Sequence, residues 1–233
     1  EAISQVENSY YGHELELLKN EGRYGNIDIN SSPVYTFWDL GTSDATSIVF
    51  AQVIDKKFIV IDFHESSGKK IEDYAVVVNS KGYKYGGHYA PHDVSKRMLF
   101  GDLVSTAKEV GIDFRRVPKT NSVLQDIEIC RRKLREIYIH ERCEDLLEHL
   151  EHYREAPSGK PLHDKHSHGA DAFRTMVMGI HLNLVNPYLT HGNKITLPNK
   201  TGRAEQYVDW ESSTESETPL WKRFRQSNGL LSN

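Results

Sequence analysis

The chain has 233 residues, 38% of them hydrophobic, enough for one large domain or one domain with appendages. No run reaches the roughly 18 consecutive apolar residues of a membrane span, and no basic-then-apolar leader opens the chain, so neither a membrane protein nor a signal peptide is expected. With 29 basic and 33 acidic residues the net charge is -4, which argues against a surface coated for nucleic acid but allows a local basic face.

The opening "EAISQVENSYYGHELELLKNEGRYG" lacks an initiator Met and starts inside a helical pattern, so it reads as a piece of a longer protein. Residues 5 to 21 have the spacing of an amphipathic helix, and "EGRYGNIDINSSP" reads as a Gly/Asn/Ser linker. Three strand-like runs follow, "VYTFWDL", "TSIVFAQVI" and "KFIVIDFHE", the last two joined by the tight turn "IDKK" as an antiparallel hairpin. "KKIEDYAVVVNSKG" predicts a helix stopping at Gly82, and "GGHYAP" a short strand ending at "HD". "SKRMLFGDLVSTAKEVG" predicts a helix, "IDFRRVP" a strand broken by Pro118, "SVLQDIEICRRKLREI" a helix, "YIH" a short strand, and "ERCEDLLEHLEHYRE" another helix.

After the polar loop "APSGKPLHDKH", Ser167 stands as N-cap of the helix "HGADAFRTMVMGIHLNL". Residues 186 to 233 read as an irregular tail whose one cluster fit for docking is "PLWKRFR". Three strands, a helix, and then alternating strand and helix make an α/β domain with a mixed sheet, in the order of the ribonuclease H-like fold. The division is 1–32 as end of a preceding domain and linker, 33–185 as the α/β domain, and 186–233 as tail.

Cys130 and Cys143 form no disulfide framework and fit a reducing compartment. His140, His149 and His152 lie near them in sequence, but the spacing matches no compact zinc pattern. Between residues 115 and 135, Arg115, Arg116, Lys119, Arg131, Arg132, Lys133 and Arg135 stand against Asp126 and Glu128. Such a stretch is either the solvated face of an amphipathic helix or a surface that tracks phosphates. Lys165 and Lys96 are further candidates for phosphate contact.

The chemistry is carried by acids. Asp39 ends the first long strand, Asp93 follows the fourth, and Asp171 lies in the first turns of the late helix, three residues after His168. Helical positions three apart share a face and differ by a rise of about 4.5 Å, so His168 and Asp171 reach one point. In a ribonuclease H-like order the first and fourth strands are neighbours, which brings Asp39 and Asp93 to one end of the sheet. Three carboxylates and an imidazole suit Mg²⁺ or Mn²⁺ better than zinc. Two such ions about 4 Å apart serve an in-line phosphoryl displacement, and clustered acids make metal a stabiliser of the fold as well.

Each residue also has a plain structural role open to it. Asp93 caps a helix near Ser95, Asp171 favours a helix N-terminus, and His168 partners a neighbouring acid. Asp39 is hardest to explain that way, because an acid ending an apolar strand needs a partner. Asp44, five residues after Asp39, is placed to swing toward the same site. Asp62 and Asp164 read as outer groups that orient ligands, and His163 and His166 as polar contacts of a loop.

"GRYGNIDINSSPVYTFWDLGTSDAT", "YAPHDVSKR", "VLQDIEICRRKLREIYIHERCEDLLEHLEHYR" and "PLHDKHSHGADAFR" closely resemble the nuclease domain of the large terminase subunit of tailed bacteriophages, over roughly residues 5 to 182. The resemblance implies a ribonuclease H-like domain, related to Holliday-junction resolvases, that cuts double-stranded concatemeric DNA with two divalent cations. It maps metal ligands onto Asp39, Asp93 and Asp171, and places His168 where resolvase-like relatives carry an acid or a histidine. It further implies a packaging ATPase N-terminal to this chain, whose Walker A loop is absent here, a portal and a small terminase subunit as partners, and the cytoplasm of an infected bacterium as location. Residues 1–32 would be the end of that motor and its linker.

Three other readings compete. "DLGTSDAT" resembles the phosphate hairpin of actin-like and sugar-kinase ATPases, but the second such turn and the adenosine motif are missing, and the chain is short for two lobes. A junction resolvase is a second alternative, and a non-catalytic DNA- or portal-binding module of the same fold a third.

Overall fold

Residues 34 to 39, "VYTFWD", are all buried, and the rest of the fold is arranged around them. The computed structural model describes residues 8–41, 44–55, 57–94 and 103–185, and the backbone of Ile195–Pro198 and Ala204–Val208. In chain order the elements are α1 (Gly12–Asn20), β1 (Tyr24–Gly25), β2 (Val34–Asp39), β3 (Ala45–Ile54), β4 (Lys57–Ser67), α2 (Ile71–Ser80), β5 (Tyr85–Pro91), α3 (Leu103–Glu109), β6 (Phe114–Val117), α4 (Val123–Leu134), β7 (Ile137–His140), a 3-10 turn at Glu141–Cys143, α5 (Glu144–His152), α6 (Ser167–His181), β8 (Ile195–Pro198) and β9 (Ala204–Val208).

Seven strands form one mixed sheet in the order β1-β7-β4-β3-β2-β5-β6. The meander β2–β3–β4 is antiparallel, while β5 runs parallel to β2, β6 to β5, and β7 to both β4 and β1. This is the expected α/β architecture, with the first and fourth predicted strands side by side.

Both faces of the sheet are covered, which is why the central strands read as continuous apolar runs. Side chains alternate along β2, so Tyr35 and Phe37 join one core with α1, α4, α5 and α6, while Val34 and Trp38 join the other with α2 and α3. The helices follow their apolar periodicity: Ile71, Tyr74, Ala75 and Val78 are the buried stripe of α2, and Ile127, Cys130 and Leu134 that of α4. No helix among the described residues is long and apolar enough to cross a membrane.

The structure departs from the sequence reading in three places. The expected helix over 5–21 is α1, Gly12–Asn20, and Tyr11, Leu15 and Leu18, read as part of a preceding domain, are at most 1% exposed in the α6-side core. The expected linker contains β1, held where Arg23 donates through Nη1 to the carbonyls of Leu134 (2.6 Å) and Ile137 (2.8 Å). Helix α6 begins at Ser167 instead of being capped by it, because the Ser167 amide and hydroxyl both already donate to the Asp164 carbonyl. Finally, the segment read as irregular contains the antiparallel pair β8–β9. Strands of four and five residues are too short to raise an alternating pattern above a polar background. The chain divides into two compact units, Glu1–Thr190 and His191–Asn233. Lys96, Ser95 and "PLWKRFR" lie outside the described residues.

Candidate metal centre

Asp39 is the last residue of β2 and 8% exposed. Alternation from Phe37 turns it to the α6 side, where the Oδ2 atom lies 3.2 Å from His168 Nδ1. That hydrogen bond raises the His168 pKa above its ordinary value against the opposing effect of burial, with the charges of Asp39, Glu65 and Asp44 adding to it. An acid at this strand end therefore has the partner that its burial demands.

One helical turn further, Asp171 is fixed by Arg174 Nη2 at 3.2 Å from Oδ1, and the Tyr153 hydroxyl donates to the same oxygen at 3.4 Å. Burial pushes the Asp171 carboxyl up from the usual carboxylate range and Asp39 adds to this, while Arg174, His168 and His163 oppose it. Asp39, Asp93 and Asp171 line one open pocket of about 280 Å³ where β2 and β5 end. These acids come from three separate elements, and the topology brings them together.

The same pocket contains groups that the sequence did not single out. Asp126 of α4 is 6% exposed and accepts from Thr120 Oγ1 at 2.6 Å. Arg174 brings positive charge to the same wall, where Lys119 of the expected basic face also lies. Asp126 was masked by its neighbours, since an acid amid basic residues on an amphipathic helix looks like an ordinary surface charge. The β3–β4 hairpin register sets Ser47 opposite Glu65, and β2–β3 sets Ser47 opposite Asp39, which places all three in one row across the sheet. Glu65 reaches this row only through a register shift between Phe50 and Ala51 of β3, which no count from the turn foresees. Glu65 accepts from Ser47 Oγ and lies 3.4 Å from His149 Nε2.

Asp44 also approaches His168. Potential ligand atoms of Asp44, His163 and His168 are all within 4.8 Å of one another, and His163, in the loop before α6, also has its Nδ1 3.0 Å from Ser167 Oγ. Gly41 makes the approach possible: a Cβ there would sit 2.4 Å from the Ala45 carbonyl oxygen and 2.7 Å from that of Asp44. Gly41 is thus a close-packing requirement of the β2–β3 turn.

Arg115 and Arg116 are consecutive on β6 and face opposite sides of the sheet. Arg115 donates to the Tyr89 hydroxyl at 3.2 Å, and Arg131 is the counter-ion of Glu14 (3.1 Å), a carboxylate only 2% exposed. Arg132 and Lys165 are not in the pocket, the first lying on α4 and the second in the loop before α6. Of the residues read as phosphate contacts, Lys119 is the one lining the pocket. Asp62 also departs from expectation: it accepts from Lys81 Nζ (2.7 Å) and Tyr83 Oη (3.0 Å) and organises the α2 side of the sheet. Asp164 accepts the His166 amide at 2.9 Å and shapes the loop before α6. Cys130 and Cys143 are free and buried, and neither belongs to a metal-capable group among the described residues.

The strand order, the meander beside parallel β2–β5–β6, and a carboxylate pocket where β2 and β5 end define a ribonuclease H-like α/β domain with an acidic site. Solved structures similar to it are phage large terminases. The large terminase of a thermophilic bacteriophage, in complex with ATP-gamma-S, matches at 15% identity and a TM-score of 0.59, over 72% of this chain and 44% of that one. The P22 large terminase nuclease domain matches at 16% identity and a TM-score of 0.56, over 70% of this chain and 89% of that one. This chain therefore spans less than half the length of the thermophilic phage's subunit but most of the length of the P22 domain. At such identities the likeness establishes the fold. No family model matches the sequence, and no curated protein matches it.

Proposed function

We propose that this chain is the nuclease part of a phage large terminase, a divalent-metal-dependent endodeoxyribonuclease that cuts double-stranded concatemeric viral DNA during packaging. The observation that carries this reading is the convergence of Asp39, Asp93 and Asp171, from β2, the end of β5 and α6, on one open pocket of the fold that phage terminases share.

The donor set fits Mg²⁺ or Mn²⁺, since four carboxylates including Asp126 line the pocket with no thiolate among them. Asp39, Asp93 and Asp171 would hold the ions, two in number, with His168 and Asp44 at the margin. Bound divalent ions supply Lewis-acid charge to phosphoryl oxygens and lower the pKa of a water molecule. The protein's own part is orientation. His168 fixes the Asp39 carboxylate, Arg174 and Tyr153 fix that of Asp171, and the opening of the pocket leaves room for a DNA backbone. Lys119 in the pocket wall is the residue best placed to contact a flanking phosphate, a contact that positions DNA without reading sequence. Arg115, Arg116, Arg131, Arg132 and Lys165 are weaker candidates for that role.

In this reading the parent protein carries an N-terminal packaging ATPase, meets a portal and a small subunit, and works in the cytoplasm of the infected host. The test is cleavage of supercoiled plasmid by the purified chain with Mg²⁺ or Mn²⁺. A folded chain that leaves plasmid intact with either ion, or an Asp39→Ala variant that cuts at the wild-type rate, refutes the assignment.

A further inference from the structure

We propose that Glu148, His152 and His166 form a second metal site, selective for a nitrogen-preferring ion of the zinc type and separate from the acidic pocket. Glu148 and His152 are four residues apart on α5 and share a helix face. His166 arrives from the loop before α6. Ligand atoms of the three lie within 4.8 Å of one another. A tetrahedral ion with bonds of about 2.0 Å needs ligands about 3.3 Å apart, each imidazole aiming its in-plane lone pair at the ion, so one of the His152 and His166 rings would turn out of their stack on binding.

Two details point to a ligand. First, His152 Nδ1 lies 2.9 Å from the Glu148 carbonyl oxygen. An imidazole that donates one N–H to a carbonyl is fixed in the tautomer whose other nitrogen offers a lone pair, the usual arrangement of a metal-bound histidine. Second, His166 is 8% exposed and its Nδ1 is buried with no hydrogen-bond partner. Burying such a nitrogen unsatisfied costs about 1–3 kcal/mol, a cost that ligation through it would remove.

The imidazoles of this cluster pack on one another. His152 stacks on His166 with centroids 4.7 Å apart, and His149 meets His166 edge-on at 5.5 Å. A Cβ at Gly169 would lie 2.7 Å from the His149 ring, so glycine there gives that wall its room. His149 is committed through Nε2 to Glu65 and acts as wall instead of ligand. Glu148 is exposed and His152 partly so, which leaves a path for the ion.

Two nitrogens and one carboxylate suit Zn²⁺, whereas the four carboxylates of the pocket suit Mg²⁺ or Mn²⁺. An ion here would tie α5 to the chain two residues before His168, and so steady the start of the helix that carries His168 and Asp171. That consequence rests on the nuclease reading; the binding site does not.

The test uses the whole chain in excess Mg²⁺, which occupies the acidic pocket, with Co²⁺ titrated as a visible probe and Zn²⁺ as competitor. One equivalent of Co²⁺ with absorption bands of nitrogen ligation, displaced by Zn²⁺, is the expected result. Glu148→Gln and His152→Asn should each weaken binding by at least about tenfold with unchanged far-ultraviolet circular dichroism, and His163→Asn should leave it unaltered. Absence of stoichiometric binding in Mg²⁺, retained affinity in both Glu148→Gln and His152→Asn, or loss in His163→Asn instead overturns the proposal. Plasmid cleavage measured on the same samples tests the nuclease separately, since absence of cutting with intact Co²⁺ binding counts against that reading alone.

Discussion

Trp38 and Asp39 are adjacent in the chain and belong to opposite faces of the sheet. Trp38 is fully buried against Tyr74 and Phe114 on the α2/α3 side. Asp39 meets His168 on the α6 side. The first face is an apolar core in which the polar atoms beside Trp38 satisfy one another: Trp38 Nε1 donates to Thr36 Oγ1 at 2.7 Å, and Thr36 Oγ1 lies 2.8 Å from His88 Nδ1. The second face ends in carboxylates and imidazoles gathered around a pocket. One strand thus supplies stability on one side and chemistry on the other. Substitutions at neighbouring positions should fail in different ways.

The largest expected effect is on catalysis. Asp39→Asn should lower plasmid cleavage by about 10⁴-fold, or about 5 kcal/mol, while its urea unfolding midpoint stays at or above that of the wild type. A variant that loses activity only because it unfolds would break the contrast between the faces. Trp38→Ala should do the reverse, costing about 3–5 kcal/mol of folding stability through the cavity it leaves, as read from denaturant unfolding.

Next comes pH. His88 is held down to about 4 from an ordinary 6.5, mainly by burial and then by the charge of Arg115, against an opposing pull from Asp113. The unfolded chain therefore takes up a proton near pH 6.5 that the folded chain refuses until about pH 4. This contribution to stability is complete above pH 6.5 and is lost as pH falls through that window, to an extent of about 3 kcal/mol. Unfolding measured at pH 7 and pH 4.5 should show the loss in the wild type and a flatter profile in His88→Asn; equal slopes would show that His88 is not the group responsible.

On the α6 side, Arg131→Ala leaves the Glu14 carboxylate buried without this guanidinium and should cost about 1–3 kcal/mol. Adding Glu14→Gln should recover most of that loss, whereas an unrecovered double variant would mean that packing of the Arg131 stem matters more than its charge. The smallest effect concerns the acids themselves. Mg²⁺ at about ten times its dissociation constant should stabilise the wild type by about 1.4 kcal/mol and Asp39→Asn by less, with thermal unfolding as the readout. A rise as large in the variant would place the ion elsewhere.

Much of this was legible in the chain because it depends on local pattern. Apolar runs separated by the "IDKK" turn specify the β3–β4 hairpin, and the stripe Ile71, Tyr74, Ala75, Val78 specifies α2. An acid that closes an apolar strand marks Asp39, and a spacing of three on a helix joins His168 to Asp171. Glu65 escaped the sequence because the β3–β4 register shifts by one between Phe50 and Ala51, so a count from the turn would set Ser47 opposite His64 instead. Residues 24–25 read as linker because a two-residue strand has no periodicity, and its place in the sheet depends on Arg23 reaching the carbonyls of Leu134 and Ile137, far away in the chain.

Sequence by itself determined which residues are apolar, where the chain turns and which acids are out of place, because those properties arise within a few positions. Tertiary structure alone decided which charges meet. It brought Asp126 into the pocket, paired Arg131 with Glu14, separated Arg115 from Arg116 across the sheet, and set His166 beside Glu148 and His152. The physical reason is that Coulomb energy and metal ligation depend on distances of a few ångströms. Between residues far apart in the chain, those distances are set by how the helices pack on the sheet.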